Sequence, residues 1–160
     1  MNIVVLGAGL VGSPMAIDLA ENKGFNVSVA DFSKDALSRV SAKNSKIKGI
    51  QRDLSNPAEV TNIVKEFDFV VNAVPGFMGY ATAEAIIKAK KDCVCIAFYE
   101  EDPFTLDELA KKNDVTMVMD CGVCPGMGGI LTMDAACKLD AVDSVIIYVG
   151  GLPEIREWPS

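Results

Sequence analysis

At 160 residues the chain has the length of one ordinary domain, since domains run roughly 100–200 residues and bury about two-thirds of the unfolded surface. It is 50% hydrophobic and only 23% charged, with a mean hydropathy of +0.27, which excludes a disordered polypeptide and predicts a largely buried sheet. Its 15 basic and 22 acidic side chains leave a net charge of −7, so the overall field repels nucleic acid and anionic membrane, and any bound anion must be held by local groups.

Seven short apolar runs, Ile3–Leu6, Val27–Ala30, Ile47–Ile50, Phe69–Val74, Val94–Phe98, Val115–Met119 and Val145–Val149, alternate with helix-length amphipathic stretches. Most are continuously apolar and β-branched, as strands covered by helices on both faces are. The pattern predicts an α/β protein with a doubly wound, mostly parallel sheet in three layers, occupying residues 1–151.

The first run leads directly into Gly7-Ala8-Gly9-Leu10-Val11-Gly12. The amphipathic stretch that follows carries Val11, Met15 and Leu19 at four-residue spacing, a stripe expected to lie against the sheet. Strand, G-x-G-x-x-G and helix in that order form the dinucleotide-binding arrangement of the Rossmann fold. Gly7 permits the turn, Gly9 lets backbone approach a pyrophosphate, and Gly12 lets helix and strand pack closely. The helix N-terminus supplies free N–H groups and a partial positive charge, which explains anion binding by an acidic protein.

The second run ends at Asp31, 19 residues after Gly12. A carboxylate there accepts from the adenosine ribose hydroxyls and repels a 2′-phosphate, favouring NAD, with NADP left open by Lys34. Asp31 as a loop or capping acid is the alternative. Ser33 caps the next helix. After the third run, Asp53 and Leu54 are placed to approach the adenine, although Asp53 could equally cap the following turn. Asn56-Pro57-Ala58-Glu59 predicts a capping box and a helix through about Lys65.

In a sheet ordered 3-2-1-4-5-6 the loop after the fourth strand flanks the cofactor opposite the glycine turn. That loop is Asn72-Ala73-Val74-Pro75-Gly76-Phe77, where Ala73, Val74, Pro75 and Gly76 let backbone approach the ligand and Pro75-Gly76 turns the chain away. Thr105 with Glu108 can box a later helix, which Asp102-Pro103 could begin earlier.

The sixth run ends in Met119-Asp120-Cys121-Gly122-Val123-Cys124-Pro125-Gly126-Met127. With the loop after the fourth strand and the late Tyr148-Val149-Gly150-Gly151-Leu152-Pro153, this segment resembles the saccharopine dehydrogenase-like family, and within it the lysine 6-dehydrogenases. The resemblance implies NAD(P)-dependent oxidation at a carbon bearing nitrogen, on lysine or a related amino acid or polyamine derivative. Cys124 stands where saccharopine reductases and carboxynorspermidine dehydrogenases tend to place an acid before Pro-Gly, which points to the lysine dehydrogenase branch. Gly122, Pro125, Gly126 and Met127 are then the substrate-side loop, with Asp120 a candidate to orient a cationic amine or a structural cap. The Cys121/Cys124 spacing allows a redox or metal role, but buried thiols are the commoner case, and no metal site is expected.

A rival reading is an NAD(H)-sensing module of the potassium-transport type, which would account for Asp31 and Asp53 but not for the two Pro-Gly loops. No apolar run reaches the ~18 residues that span a bilayer, no leader is evident, and five sparse cysteines fit reduced thiols, so a cytoplasmic protein is expected. The absence of histidine removes the commonest general base. Residues 152–160 are expected to begin a connection to a substrate domain absent from this chain, through which the family forms a homo-oligomer, leaving the chain alone able to bind cofactor but inactive.

Overall fold

A computed structural model describes residues 1–150 of the chain. The connection expected at 152–160, with Gly151, Leu152, Pro153 and Trp158, lies outside the described residues. The chain forms two compact units, Met1–Gly122 and a second from Val123 onward.

The first unit contains one six-stranded sheet ordered β3-β2-β1-β4-β5-β6. Its strands are β1 (Asn2–Leu6), β2 (Asn26–Asp31), β3 (Lys48–Gln51), β4 (Phe69–Asn72), β5 (Asp92–Cys95) and β6 (Met117–Val118), and every pairing is parallel. The helices are α1 (Gly12–Leu19), α2 (Lys34–Lys43), α3 (Pro57–Val64), α4 (Gly76–Lys88) and α5 (Asp107–Asn113). Each face of the sheet has its own core. Val4, Leu6 and Val70 pack with Val60, Val64 and Ile86 of α3 and α4, and Ile3, Val5 and Val29 pack with Ala16, Leu37 and Val40 of α1 and α2. The three-layer doubly wound fold is therefore as the alternation of runs predicts.

The ends of the helices follow their sequence signals. Ser33 Oγ accepts from Ala36 N–H at 3.2 Å, and Asn56 Oδ1 accepts from Ala58 N–H at 3.0 Å ahead of Pro57. Glu59 does not close the capping box and instead lies 3.6 Å from Arg52 Nε. Asp102 caps Phe104 N–H at 2.9 Å and starts a 3₁₀ turn over Pro103–Leu106 that runs into α5, so the earlier of the two possible starts is the one used.

Three expectations need correction. The face of α1 against the sheet is Gly12, Ala16 and Ala20, with Met15 and Leu19 half-buried beside it and Val11 50% exposed. Small side chains win this face because they let the helix axis approach the strands closely. The fifth strand begins two residues early and ends at Cys95, since only Asp92–Cys95 stay in register with Phe69–Asn72 of β4. Val145–Val149 forms no strand: among the described residues it has no ladder partner, and its side chains are 46% to 92% exposed. An extended apolar run becomes a strand only when a neighbour satisfies its backbone.

The second unit carries α6 (Met127–Ala136), preceded by Gly126 at φ 123°. No residue of α6 is buried. Gly128 N–H donates to the Val123 carbonyl at 3.0 Å, and Ile147 packs over Gly128.

Candidate functional site

Strand β1 pairs with β2 on one side and β4 on the other, so the chain reverses its direction of winding there and opens a crevice at the carboxyl ends of the strands. A cleft of 690 Å³ occupies that position. The glycine turn contributes Gly7, Gly9, Leu10, Val11 and Gly12 to its lining. Asp31 lines it from the end of β2, and Asp53 and Leu54 from the end of β3. Ala73, Val74, Pro75 and Gly76 form the wall beyond β4. All twelve residues expected on the cofactor side thus meet in one cavity.

The three glycines of the turn differ in what a side chain there would meet. Gly7 has φ 106°, and a Cβ there would come within 2.7 Å of the Ala73 carbonyl oxygen. A Cβ on Gly12 would overlap the Gly7 carbonyl oxygen. On Gly9, which lines the cleft, an added Cβ would meet no protein atom within 4 Å. The protein's own packing accounts for the first two, whereas the space beside Gly9 is open to the cleft. The N–H groups of Gly9, Leu10, Val11 and Gly12 also have no acceptor among the described residues, and α1 has no side-chain cap. The start of this helix is therefore a set of donors with a partial positive charge.

Asp31 is half-buried, and its two oxygens accept from backbone. Oδ2 takes the Ala8 N–H and Oδ1 the Ser33 N–H, each at 2.7 Å. Asp53 is exposed and accepts from Ser55 N–H at 2.9 Å and Ser55 Oγ at 2.7 Å, which hold its carboxyl below the ordinary carboxylate range. It lines the cleft and caps its turn at once. Pro75-Gly76 does not lead the chain away as a loop. Pro75 is the N-cap of α4 and Gly76 its first residue, placed where a Cβ would overlap the Phe98 carbonyl oxygen.

Below the loop after β4 lies a buried polar cluster. Asn72 Nδ2 donates to Gly79 O at 3.4 Å and to Tyr99 Oη at 3.3 Å, and Asn72 Oδ1 is buried with no partner. Cys93 and Cys95, on the same face of β5, hold their Sγ atoms 3.7 Å apart. Burial pushes the Cys93 thiol up, hydrogen bonding from Cys93 draws Cys95 down, and burial raises the Tyr99 phenol well above its ordinary value.

Of the substrate-side candidates, Asp120 is exposed with φ 56° and borders a separate depression with Phe104, Leu106 and Met117. Gly122 closes the first unit and does not line the cleft. Pro125, Gly126 and Met127 belong to the second unit, at the entry to α6. Sequence reasoning missed Phe32, Ser55, Met78, Ile96 and Ala97, all in the cleft lining. Ile96 and Ala97 follow β5, and the rule that ligands meet the carboxyl ends of strands beside the crevice was the signal that could have found them.

Among the described residues no helix is long and apolar enough to cross a membrane. Comparison with known proteins places the first unit among dehydrogenase cofactor-binding domains. Saccharopine dehydrogenase (NADP(+), L-glutamate-forming) of Pyricularia oryzae is 24% identical over 156 residues, covering 95% of this chain and 34% of the relative. Alpha-aminoadipic semialdehyde synthase of Arabidopsis thaliana is 27% identical over 176 residues, covering 94% of this chain and 16% of the relative. The chain therefore spans about a third or less of the length of these curated relatives. Apo saccharopine dehydrogenase (L-Glu forming) from Saccharomyces cerevisiae shares the fold with a TM-score of 0.72 at 24% identity, covering 86% of this chain and 31% of that one. The family profile described as saccharopine dehydrogenase NADP binding domain matches residues 3–118, from β1 to β6, and the chain belongs to this family as a Rossmann-type dehydrogenase domain for a nicotinamide cofactor.

Proposed function

We propose that the cleft holds NAD(H), and that the chain is the cofactor-binding part of an amino-acid dehydrogenase that oxidises a C–N bond of lysine or a related amino acid. Gly9 carries this reading, because a glycine with open space where its side chain would be, in a turn of free N–H donors, fits a pyrophosphate lying on backbone. Asp31 then meets the adenosine ribose, Asp53 and Leu54 the adenine, and the Ala73–Gly76 wall the nicotinamide end. Bound there, the cofactor supplies the hydride acceptor. The chain's own residues bind and orient it, and the apolar wall keeps water from the reacting end.

NAD is preferred because a 2′-phosphate would bring negative charge against the Asp31 carboxylate, although the family's description and the Pyricularia oryzae relative's name carry NADP. The lysine-type substrate rests on Cys124 preceding Pro125-Gly126 where related reductases tend to carry an acid. Asp120, at the exit of β6, is proposed to orient the substrate amine; the role of Gly122, Pro125, Gly126 and Met127 rests on the sequence resemblance alone. Calorimetric titration with NAD and NADP at fixed ionic strength tests the cofactor assignment. NAD binding tighter by about tenfold, worth about 1.4 kcal/mol, is expected. Tighter NADP would overturn the preference, and no binding of either would overturn the whole reading.

A further inference from the structure

Ala8, 4% exposed, is the one residue of the glycine turn held at both its N–H and its carbonyl by side chains. Its N–H donates to Asp31 Oδ2 at 2.7 Å, and its carbonyl accepts from Ser13 Oγ at 2.7 Å. Gly7, just before it, has φ 106° and donates its own N–H to the Ala30 carbonyl at 2.8 Å. The second Asp31 oxygen takes the Ser33 N–H, at the start of α2. One carboxylate thus ties the glycine turn to the β2–α2 junction. A carboxylate suits this work because it is an acceptor at both oxygens, whereas an asparagine would turn an NH₂ donor toward one of the two N–H groups.

We propose that Asp31 is a positioning residue for the phosphate-binding turn in addition to its contact with the adenosine ribose, an inference that rests on the reading of the cleft as a dinucleotide site. By gripping the Ala8 N–H, the carboxylate fixes the Gly7–Ala8 peptide, one residue before Gly9, so that the turn keeps its shape before any ligand arrives. The two roles are compatible. An ionised carboxylate has about four acceptor positions, and the two backbone donors leave the others for ribose hydroxyls. They are also separable. A contact with the ribose vanishes with the ribose hydroxyls, but a hold on the turn persists.

The experiment titrates Asp31→Asn and Asp31→Ala with NAD and with an NAD analogue whose adenosine ribose lacks both hydroxyls, and measures hydrogen exchange at the Ala8 amide without ligand. Because a hydrogen bond to a charged group is at stake, both variants are expected to bind both ligands about tenfold more weakly, with Ala8 exchange accelerated. A loss confined to NAD itself, or Ala8 exchange unchanged from the original chain, would overturn the inference while leaving the dinucleotide reading intact. Failure of the unmodified chain to bind either ligand would overturn both. Should the Asp31 variants not fold, Ser13→Ala decides the matter from the carbonyl side of the same residue, in the following peptide. It frees the Ala8 carbonyl and touches no ribose contact, so weakened binding of both ligands supports the grip and unchanged binding of both refutes it.

Discussion

At the scale of single residues, the glycine turn separates what the fold needs from what a ligand needs. Gly12→Ala would drive a methyl group into the Gly7 carbonyl oxygen in a buried helix–strand contact, and overpacking of that kind costs about 1–3 kcal/mol. A clear fall in the thermal midpoint is expected. A Cβ on Gly9 meets no protein atom within 4 Å, so Gly9→Val should move the midpoint far less than Gly12→Ala while dinucleotide binding disappears in the same calorimetric assay. The G-x-G-x-x-G spacing was fully legible in the sequence, but this division of labour was not, because it depends on which atoms lie opposite each missing Cβ. Tyr99 supplies a second residue-level test. Burial, then the neighbouring Cys95, raise its phenol above the ordinary value of 10.0. As pH rises the unfolded chain releases this proton first, so Tyr99 contributes stability that is complete below about pH 10 and lost above it. Urea midpoints measured from about pH 8 to about pH 11 should fall at the alkaline end, and Tyr99→Phe should flatten that fall. An equal fall in the variant would assign it to other groups, Cys93 among them.

At the scale of elements, α4 shows how tertiary packing reverses a local preference. Replacing glycine with alanine inside a helix ordinarily stabilises by about 1 kcal/mol. Gly79 lies within α4, and a Cβ there would overlap the Tyr99 ring, which also meets Tyr80 edge-on at 6.4 Å between ring centres. Gly79→Ala is therefore expected to destabilise the first unit in thermal melts, and to become stabilising in a Tyr99→Ser background where the ring is gone. A stabilising effect in both backgrounds would show that the ring yields freely. The same competition explains what the sequence did not disclose about the elements. Val11, Met15 and Leu19 form a fair helical stripe, yet Gly12, Ala16 and Ala20 take the sheet face, because close approach of α1 to β1 and β2 outweighs side-chain size. Val145–Val149 has strong strand composition, yet composition cannot supply a ladder partner. Caps were read well at Ser33 and Asn56, since a cap rests on neighbours within three residues, while Asp102 was one of two starts left open and the Glu59 half of the box at Asn56 was lost to Arg52.

At the scale of the whole molecule, twelve cleft residues were legible because strand order follows from the alternation of runs, and strand order places the carboxyl ends of β1, β2, β3 and β4 around one crevice. Phe32, Ser55, Met78, Ile96 and Ala97 were not, because they belong to no motif and reach the cleft only through the exact ends of β2, β3 and β5 and the first turn of α4. The composition of that lining leads to the last prediction. Oxidation of an amine carbon needs the neutral amine, so a group must accept its proton close to the reacting carbon. The carboxylates that line the cleft are Asp31, engaged by two backbone N–H groups, and Asp53, engaged by Ser55. No lysine lines it. Among the described residues the lining thus offers a substrate no base beyond these two engaged carboxylates and no basic group to clamp it against the proposed nicotinamide position, an orientation that can supply about 7–11 kcal/mol of barrier lowering. Residues 1–160 are accordingly expected to bind NAD without reducing it. Absorbance at 340 nm, followed with lysine and with saccharopine across neutral to alkaline pH, checks this, with calorimetry on the same preparation to show that the cofactor is bound. Sustained NADH formation abolished by Asp120→Asn would overturn the prediction and place Asp120 at the substrate amine, as orienting group or proton acceptor. Formation that survives that substitution would move the acceptor elsewhere in the chain, with the exposed lysines the next to be replaced.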